Sequence, residues 1–270
     1  MRTAVTGGTG SIGRLVVEEL VRRGDDVRML SRSAPTTPVP GATHHAVDLR
    51  SGDGLRDALD GVDVVVDAAN GRKAPAELLV EGTRRVGRAA ADSGVSHHVV
   101  ISIVGCDLVP MEYYVAKVAQ ERAVAEGPVP WSVLRATQFH TLLDGALAAA
   151  ARAGIRPRVA VPLHLVDPQV AADRLADAAH ADPAGRLPDL GGPRRQSAAE
   201  LADVWARVTG RGRIPLRVPL PGRLGRALRA GALCAAEDGA DGPDFGAWLR
   251  AREAGEGAVV AAGTSAGAGS

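Results

Sequence analysis

Tyr113 and Lys117 stand four residues apart, so a helix over this segment puts both on one face. An ammonium beside a phenol favours the phenolate and lowers its pKa from about 10. Eleven residues before Tyr113, Ser102 follows the apolar run His98–Ile101, and its hydroxyl can hold a carbonyl oxygen beside that phenol. Together the three residues make a proton donor for a carbonyl that receives hydride.

The other chemistry-bearing pattern is the glycine cluster. Arg2–Thr6 reads as a short strand, Gly7-Gly-Thr-Gly-Ser-Ile-Gly13 follows directly, and the segment from Arg14 to Arg23 has helical apolar spacing at Leu15, Val16, Leu20 and Val21. Two spacings coincide: Gly8-x-Gly10-x-x-Gly13, and Thr6-Gly7-x-x-Gly10-x-x-Gly13. Strand, glycine turn and helix in this order make a phosphate cradle. Gly7 permits the sharp turn, Gly10 lets backbone approach a pyrophosphate, and Gly13 lets the helix pack closely on the sheet. The helix N-terminus turns unpaired N–H groups and its positive dipole end toward the anion. A Walker-type loop is excluded, because no Gly-Lys-Ser/Thr follows.

The second expected strand, Asp26–Leu30, ends at Ser31-Arg32-Ser33. NAD-preferring sites place an acid there to bind the ribose diol. Here a guanidinium and two hydroxyls stand in its place, which suits a 2′-phosphate. NADP(H) is therefore the expected cofactor, ahead of NAD(H).

Elements that position these groups alternate along the first half. Val62–Val66 is a continuous apolar run, as for a strand buried on both faces. A helix is expected over residues 81–93, stopped by Gly94, and another over 113–126, ending at Gly127-Pro128. Trp131–Arg135 is a further strand. Such alternation implies an α/β fold with a doubly wound parallel sheet. Beyond residue 137 the expected elements are a helix over 139–151, a strand over 158–161 and a helix over 167–181 with Pro168 in its first turn. A short strand over 187–190 follows, then a helix over 198–208 behind the capping box Ser197-Ala-Ala-Glu200, and a strand over 214–218. Residues 255–270 are small and polar enough to read as a disordered tail.

Length and composition bound the rest. A chain of 270 residues holds one large domain or a nucleotide-binding domain with a small appendage, and 46% apolar content is ample for a core. A net charge of +1 gives no case for nucleic acid or an anionic membrane. Cys106 and Cys234 suggest no disulfide framework and fit a reducing compartment. The chain opens on a strand and contains no run of membrane-spanning length, so no signal peptide and a cytoplasmic location are expected. The seven histidines form no metal-ligand spacing, and no metal is expected.

Thr6–Gly13, Asp48-Leu49, Asp67-Ala-Ala69, Ser102 and Tyr113-x-x-x-Lys117 together resemble a short-chain dehydrogenase/reductase, in particular the atypical, NmrA-like NAD(P)-binding branch. The resemblance runs from Met1 to about Leu249. It implies a Rossmann-type core, residues 1–254 as one domain, with a small C-terminal substrate lobe formed mainly by residues 139–250. It implies pyrophosphate over Gly7, Gly10 and Gly13, including the backbone of Ser11 and Ile12. Asp48 and Leu49 would face adenine, and Ala68 and Ala69 would line the nucleotide cleft. Lys117 would bind the nicotinamide ribose, and Tyr113 would be the acid/base. Gln138, Phe139 and His140, with Thr137, fall where the family places residues beside nicotinamide and substrate. The expected activity is NADPH-dependent reduction of a carbonyl or quinone on a small, apolar or aromatic molecule, by a monomer or homodimer. The alternatives are a non-catalytic nucleotide-sensing regulator and a nucleotide-dependent epimerase or dehydratase.

Overall fold

The expected alternation of strands and helices is present from the second residue of the chain. The structure is a computed structural model that describes all residues except 72, 73, 238, 240, 241 and 266–270, with backbone only for 256–265. In chain order the elements begin with β1 (Arg2–Thr6), α1 (Ser11–Arg22), β2 (Asp26–Ser31), β3 (Ala42–Ala46), α2 (Leu55–Leu59) and β4 (Val64–Asp67). A π-helical turn (Ala76–Gly82) leads into α3 (Thr83–Asp92), then β5 (His97–Ile103), α4 (Glu112–Ala125) and β6 (Trp131–Ala136). After these come α5 (His140–Ala151), β7 (Ile155–Arg158), β8 (Pro162–Leu163), α6 (Pro168–His180), β9 (Gly185–Arg186) and β10 (Gln196–Ser197). The last elements are α7 (Ala198–Thr209), β11 (Ile214–Arg217), α8 (Gly222–Arg229) and α9 (Phe245–Ser265).

The chain divides into two compact units. The first comprises Met1–Ala136 and Pro168–Leu190; the second comprises Thr137–Asp167 and Gly191–Ser270. The substrate lobe expected over residues 139–250 is thus interrupted: α6 and β9 return to the first unit. Arg23 reaches Asp177 at 2.8 Å and His180 reaches Asp25 at 3.1 Å, which ties α6 to the segment after α1.

The first unit carries a seven-stranded sheet in the order β3-β2-β1-β4-β5-β6-β9. Every pairing in it is parallel. Strand order reverses between β1 and β4, where Thr6 pairs with Asp67 in register. Crevices at such switch points, outside the carboxyl ends of the strands, are where open α/β sheets bind ligands. One face is packed by Leu30, Leu49, Leu55, Leu59, Val65 and Val86, all buried.

The second unit has its own core, of Leu147, Leu165, Leu201, Trp205, Phe245 and Leu249. The capping box before α7 forms as expected, with Glu200 N–H on Ser197 Oγ at 3.1 Å and Ser197 N–H on Glu200 Oε2 at 3.0 Å. Two strand expectations are corrected. The strand expected over 158–161 lies earlier, at β7, because its ladder partner is the distant β11, with Ile155 opposite Ile214. The strand expected over 187–190 is β9, at 185–186. Leu187 and Leu190 still donate to Val133 and Arg135 carbonyls, but a regular ladder would use Asp189 for the second bond, so the register slips by one residue and the strand ends. The span expected as a disordered tail begins inside α9; residues 266–270 lie outside the described residues.

Candidate active site

β1 delivers Thr6 to the sheet edge and the chain turns at once. Gly7 has φ +63°, and a Cβ there would stand 2.8 Å from the Ala68 carbonyl oxygen and the Ala69 Cα. A side chain is therefore barred both by conformation and by the backbone beyond β4. A Cβ on Gly13 would meet the Gly7 carbonyl oxygen at 2.2 Å, so α1 packs directly on the turn. Gly10 caps α1 in extended backbone; no side chain bonds to the cap, and the first turn holds no acid. The N–H groups at the head of α1, including those of Ser11 and Ile12, are thus left for an anion, and no carboxylate opposes it. These features fit a dinucleotide pyrophosphate.

Ala68 and Ala69 are buried against the turn. Ser31 Oγ bonds the Ser33 carbonyl at 2.8 Å and His44 Nε2 at 3.0 Å, and Arg32 is exposed beside it. His44, on the neighbouring β3, is a polar group at this strand end that the sequence did not single out. The Asp48 carboxylate accepts the Arg50 N–H at 2.9 Å within its own turn. Leu49 is buried among the core residues named above.

Below the cradle lies a buried polar chain. Asp67 Oδ1 accepts from the Thr6 hydroxyl at 2.6 Å and the Ala69 N–H at 3.1 Å. Asp67 Oδ2 accepts from the Thr83 hydroxyl at 2.8 Å and, weakly, from Gln120 Nε2 at 3.4 Å. Gln120 Nε2 also donates to Thr83 Oγ1 at 3.0 Å, and Gln120 Oε1 accepts from Lys117 Nζ at 2.6 Å. Lys117 Nζ gives a further bond to the Ile101 carbonyl, at 2.7 Å. His98 Nε2 stands 3.9 Å from Asp67 Oδ2. Burial pushes the Lys117 ammonium down to about 8, against the pull of Asp67. Burial likewise lowers His98 below the ordinary imidazole value.

Tyr113 sits half-buried in the first turn of α4, as its spacing to Lys117 requires, and donates its hydroxyl to Asn70 Oδ1 at 2.9 Å. Tyr114 lies against it, with ring centroids 5.5 Å apart. Ser102 is buried near the end of β5, and its hydroxyl lies beside the Cys106 thiol. That thiol is buried, and burial followed by the Glu121 carboxylate raises its pKa, so it is a poor nucleophile. Glu121 is held by Arg135 through two bonds of 2.7 Å.

Gln138, Phe139 and His140 belong to the second unit. The Gln138 side-chain amide atoms are buried without a hydrogen-bond partner among the described residues. Phe139 caps α5 and bridges to Val166. His140 is buried, bonds the Pro243 carbonyl through Nε2 at 3.0 Å, and packs against Phe245 and Trp248. Burial lowers its pKa, so it is a neutral ring in a packed cluster. No group of His, Cys, Asp and Glu among the described residues could hold a metal ion. No helix among them is long and apolar enough to cross a membrane.

Asn70, Thr83 and Gln120 escaped the sequence reading. Asn70 carries a faint signal, as the polar residue that follows Asp67-Ala-Ala69. Thr83 and Gln120 carry none, because their partners lie 16 and 53 residues away.

A family model described as NAD(P)H-binding matches residues 7–161, more than half of the chain, including the glycine turn, Asp67, Ser102, Tyr113 and Lys117. The chain belongs to this NAD(P)H-binding family. Its sheet is of the Rossmann type, a fold that it shares with its structural neighbours. Among relatives, this NAD(P)H-binding protein is 46% identical over 74 residues to dTDP-6-deoxy-L-talose 4-dehydrogenase (NAD(P)(+)) of Kitasatospora kifunensis, over 26% of the chain and 23% of that protein. The match to an uncharacterized protein of Mycobacterium tuberculosis is 32% identical over 38% of the chain and spans only 12% of that relative's length. A nucleoside-diphosphate-sugar epimerase structure from Staphylococcus aureus superposes with TM-score 0.75 at 16% identity, covering 93% of this chain and 100% of that one. An NADPH-dependent quinone oxidoreductase of Escherichia coli, complexed with NADPH, superposes with TM-score 0.68 at 19% identity, over 86% and 88%. At these identities the superpositions speak for the fold alone. The chain thus carries an NAD(P)H-binding domain on a fold that it shares with an epimerase and a quinone oxidoreductase.

Proposed function

We propose that the protein is an NADP(H)-dependent reductase acting on a carbonyl or quinone of a small, apolar or aromatic molecule. The observation that carries this reading is the Tyr113 hydroxyl, set on Asn70 just past β4, with Lys117 one helical turn further on. The nicotinamide ring, when bound, supplies the hydride.

The chain's own residues do the rest. The head of α1 and the Gly7–Gly13 turn hold pyrophosphate. Ser31 and Arg32 take the 2′-phosphate, Asp48 faces the adenine side, and Lys117 holds the nicotinamide ribose. As hydride reaches the carbonyl carbon, Tyr113 gives its phenolic proton to the carbonyl oxygen, so the product is the alcohol and the phenolate regains a proton from water. Ser102 orients the substrate oxygen, and Asn70 joins it: with Oδ1 on the tyrosine, its Nδ2 donors are left for that oxygen. We place the enzyme in the cytoplasm, as a monomer or homodimer, without nucleic acid or membrane as partner.

Tyr113→Phe tests this directly. NADPH binding, read by its fluorescence, should stay near the wild-type value, while turnover on a panel of quinones and aromatic aldehydes falls by on the order of 100-fold, as loss of a general acid does. Turnover at the wild-type rate removes Tyr113 from the mechanism. The absence of turnover on the whole panel with tight NADPH binding would favour a sensor.

A further inference from the structure

The chain uses arginine for nearly every cation: only two of its 32 Lys and Arg residues are lysines, Lys73 and Lys117. Lys117 is also buried, at 3% exposed. A guanidinium stays charged at any ordinary pH, whereas an ammonium is compact and can lose its proton. What surrounds Lys117 therefore decides both where its charge sits and when it is present.

The geometry points to Gln120 as a positioning residue that couples the Lys117 ammonium to the Asp67 carboxylate, and through it to the dinucleotide cradle. An ammonium only donates and a carboxylate only accepts, so a group between them must do both. The Gln120 carboxamide does, and its orientation is dictated: Oε1 accepts a hydrogen bond from the Lys117 ammonium at 2.6 Å, and Nε2 donates to Thr83 Oγ1 and Asp67 Oδ2. Asp67 in turn holds Thr6, the residue before Gly7, and the Ala69 N–H, whose backbone packs on Gly7. A chain of hydrogen bonds thus runs from the cradle to the ammonium. Such chains are costly when broken, because each buried member loses a partner at once.

This deepens the reductase reading and rests on it for any consequence in turnover; the coupling itself can be measured without substrate. Besides Asp67 on β4, the ionisable groups acting on Lys117 are Cys106 after β5 and Glu121 on α4, and His98 on β5 faces Asp67. None of the three bonds Gln120.

The experiment is an NMR titration of isotope-labelled lysine in the free protein. With two lysines, Lys73→Arg assigns the spectrum. In Gln120→Leu the Lys117 midpoint should fall by about one pH unit, as the ammonium loses its acceptor inside the core. Gln120→Glu restores the acceptor and should return the midpoint to the wild-type value or above it. Asp67→Asn should lower it, and the double variant Asp67→Asn/Gln120→Leu should lower it by less than the sum of the two. NADPH binding should weaken about five-fold in Gln120→Leu and stay weak in Gln120→Glu, whose carboxylate accepts from Lys117 but cannot donate to Asp67. A wild-type midpoint in Gln120→Leu overturns the proposal. Should that variant fail to fold, a Gln120→Glu midpoint below wild type overturns it, and one at or above wild type supports it. Normal turnover in Tyr113→Phe would undo the reductase reading and leave these titrations as they stand.

Discussion

The cradle of the first unit and the aromatic cluster of the second hold their groups by opposite means. Around Gly7, Gly10 and Gly13 the working surface is backbone, and what matters is that side chains are absent. Around His140, Phe245 and Trp248 it is side chain against side chain, with the His140 and Trp248 ring centroids 5.4 Å apart. A backbone cradle cannot yield to an added atom, since the clashing neighbour is itself main chain. A side-chain cluster can repack, because rotamers shift at modest cost. The difference teaches where this fold tolerates change: little at the nucleotide, more at the lobe expected to meet substrate.

The comparison can be broken or sharpened in four ways. The largest effect is expected from Gly13→Val, which drives a branched side chain into the Gly7 carbonyl, where a Cβ alone would already stand at 2.2 Å. NADPH affinity should fall by more than about 100-fold, as overpacking against backbone moves the phosphate-binding N–H groups. Affinity within a few-fold of wild type would show that the cradle yields after all.

Phe245→Ala should cost the second unit about 3 to 4 kcal/mol in denaturant melts, because it empties a fully buried site in that core. NADPH affinity should stay within about two-fold, on the expectation that binding draws on the first unit alone. A joint loss would sink the separation of roles.

Lys117 gives the first unit a pH signature. Its folded pKa, about 8, lies below its ordinary 10.5, so between these values the unfolded chain binds more protons than the folded one. Stability from this group is therefore least below pH 8 and is gained as pH rises toward 10.5, by about 3 kcal/mol in all. Lys117→Met should remove that rise; an unchanged difference between the two proteins across this range would show that the ammonium is not desolvated. His140 gives the second unit a window of the same sign at lower pH. Its depressed pKa means that stability is lost as pH falls below about 6.5, the ordinary imidazole value.

The smallest effect belongs to the exposed Arg32. Arg32→Asp should shift preference from NADPH toward NADH by about ten-fold, a single charge-assisted contact exchanged for a repulsion. An unchanged ratio of dissociation constants would remove Arg32 from cofactor choice.

The cradle, the strands β1, β2, β4, β5 and β6, and the Tyr113/Lys117 face were legible because each is local: strand, turn and helix signals lie within a few residues of one another. The elements that were misplaced are those whose hydrogen bonds run to distant partners. The 158–161 strand slid to β7 because β11 sets its register, and the ladder expected over 187–190 is broken by a one-residue slip between Leu187 and Leu190. The lobe, read as one continuous stretch, is cut by the return of residues 168–190 to the first unit.

By itself the sequence determined that this chain binds a dinucleotide, because glycines at fixed spacing between a strand and a helix leave only that geometry for the backbone. It also placed a phenol and an ammonium on one helical face. Only the tertiary structure decided what each of them meets. Tyr113 finds Asn70, 43 residues away, and Lys117 finds the Asp67 chain through Gln120. Spacing along a helix fixes direction, whereas a hydrogen-bond partner is fixed by which strands lie side by side, and here β1, β4 and β5 are neighbours only because the sheet order reverses between β1 and β4.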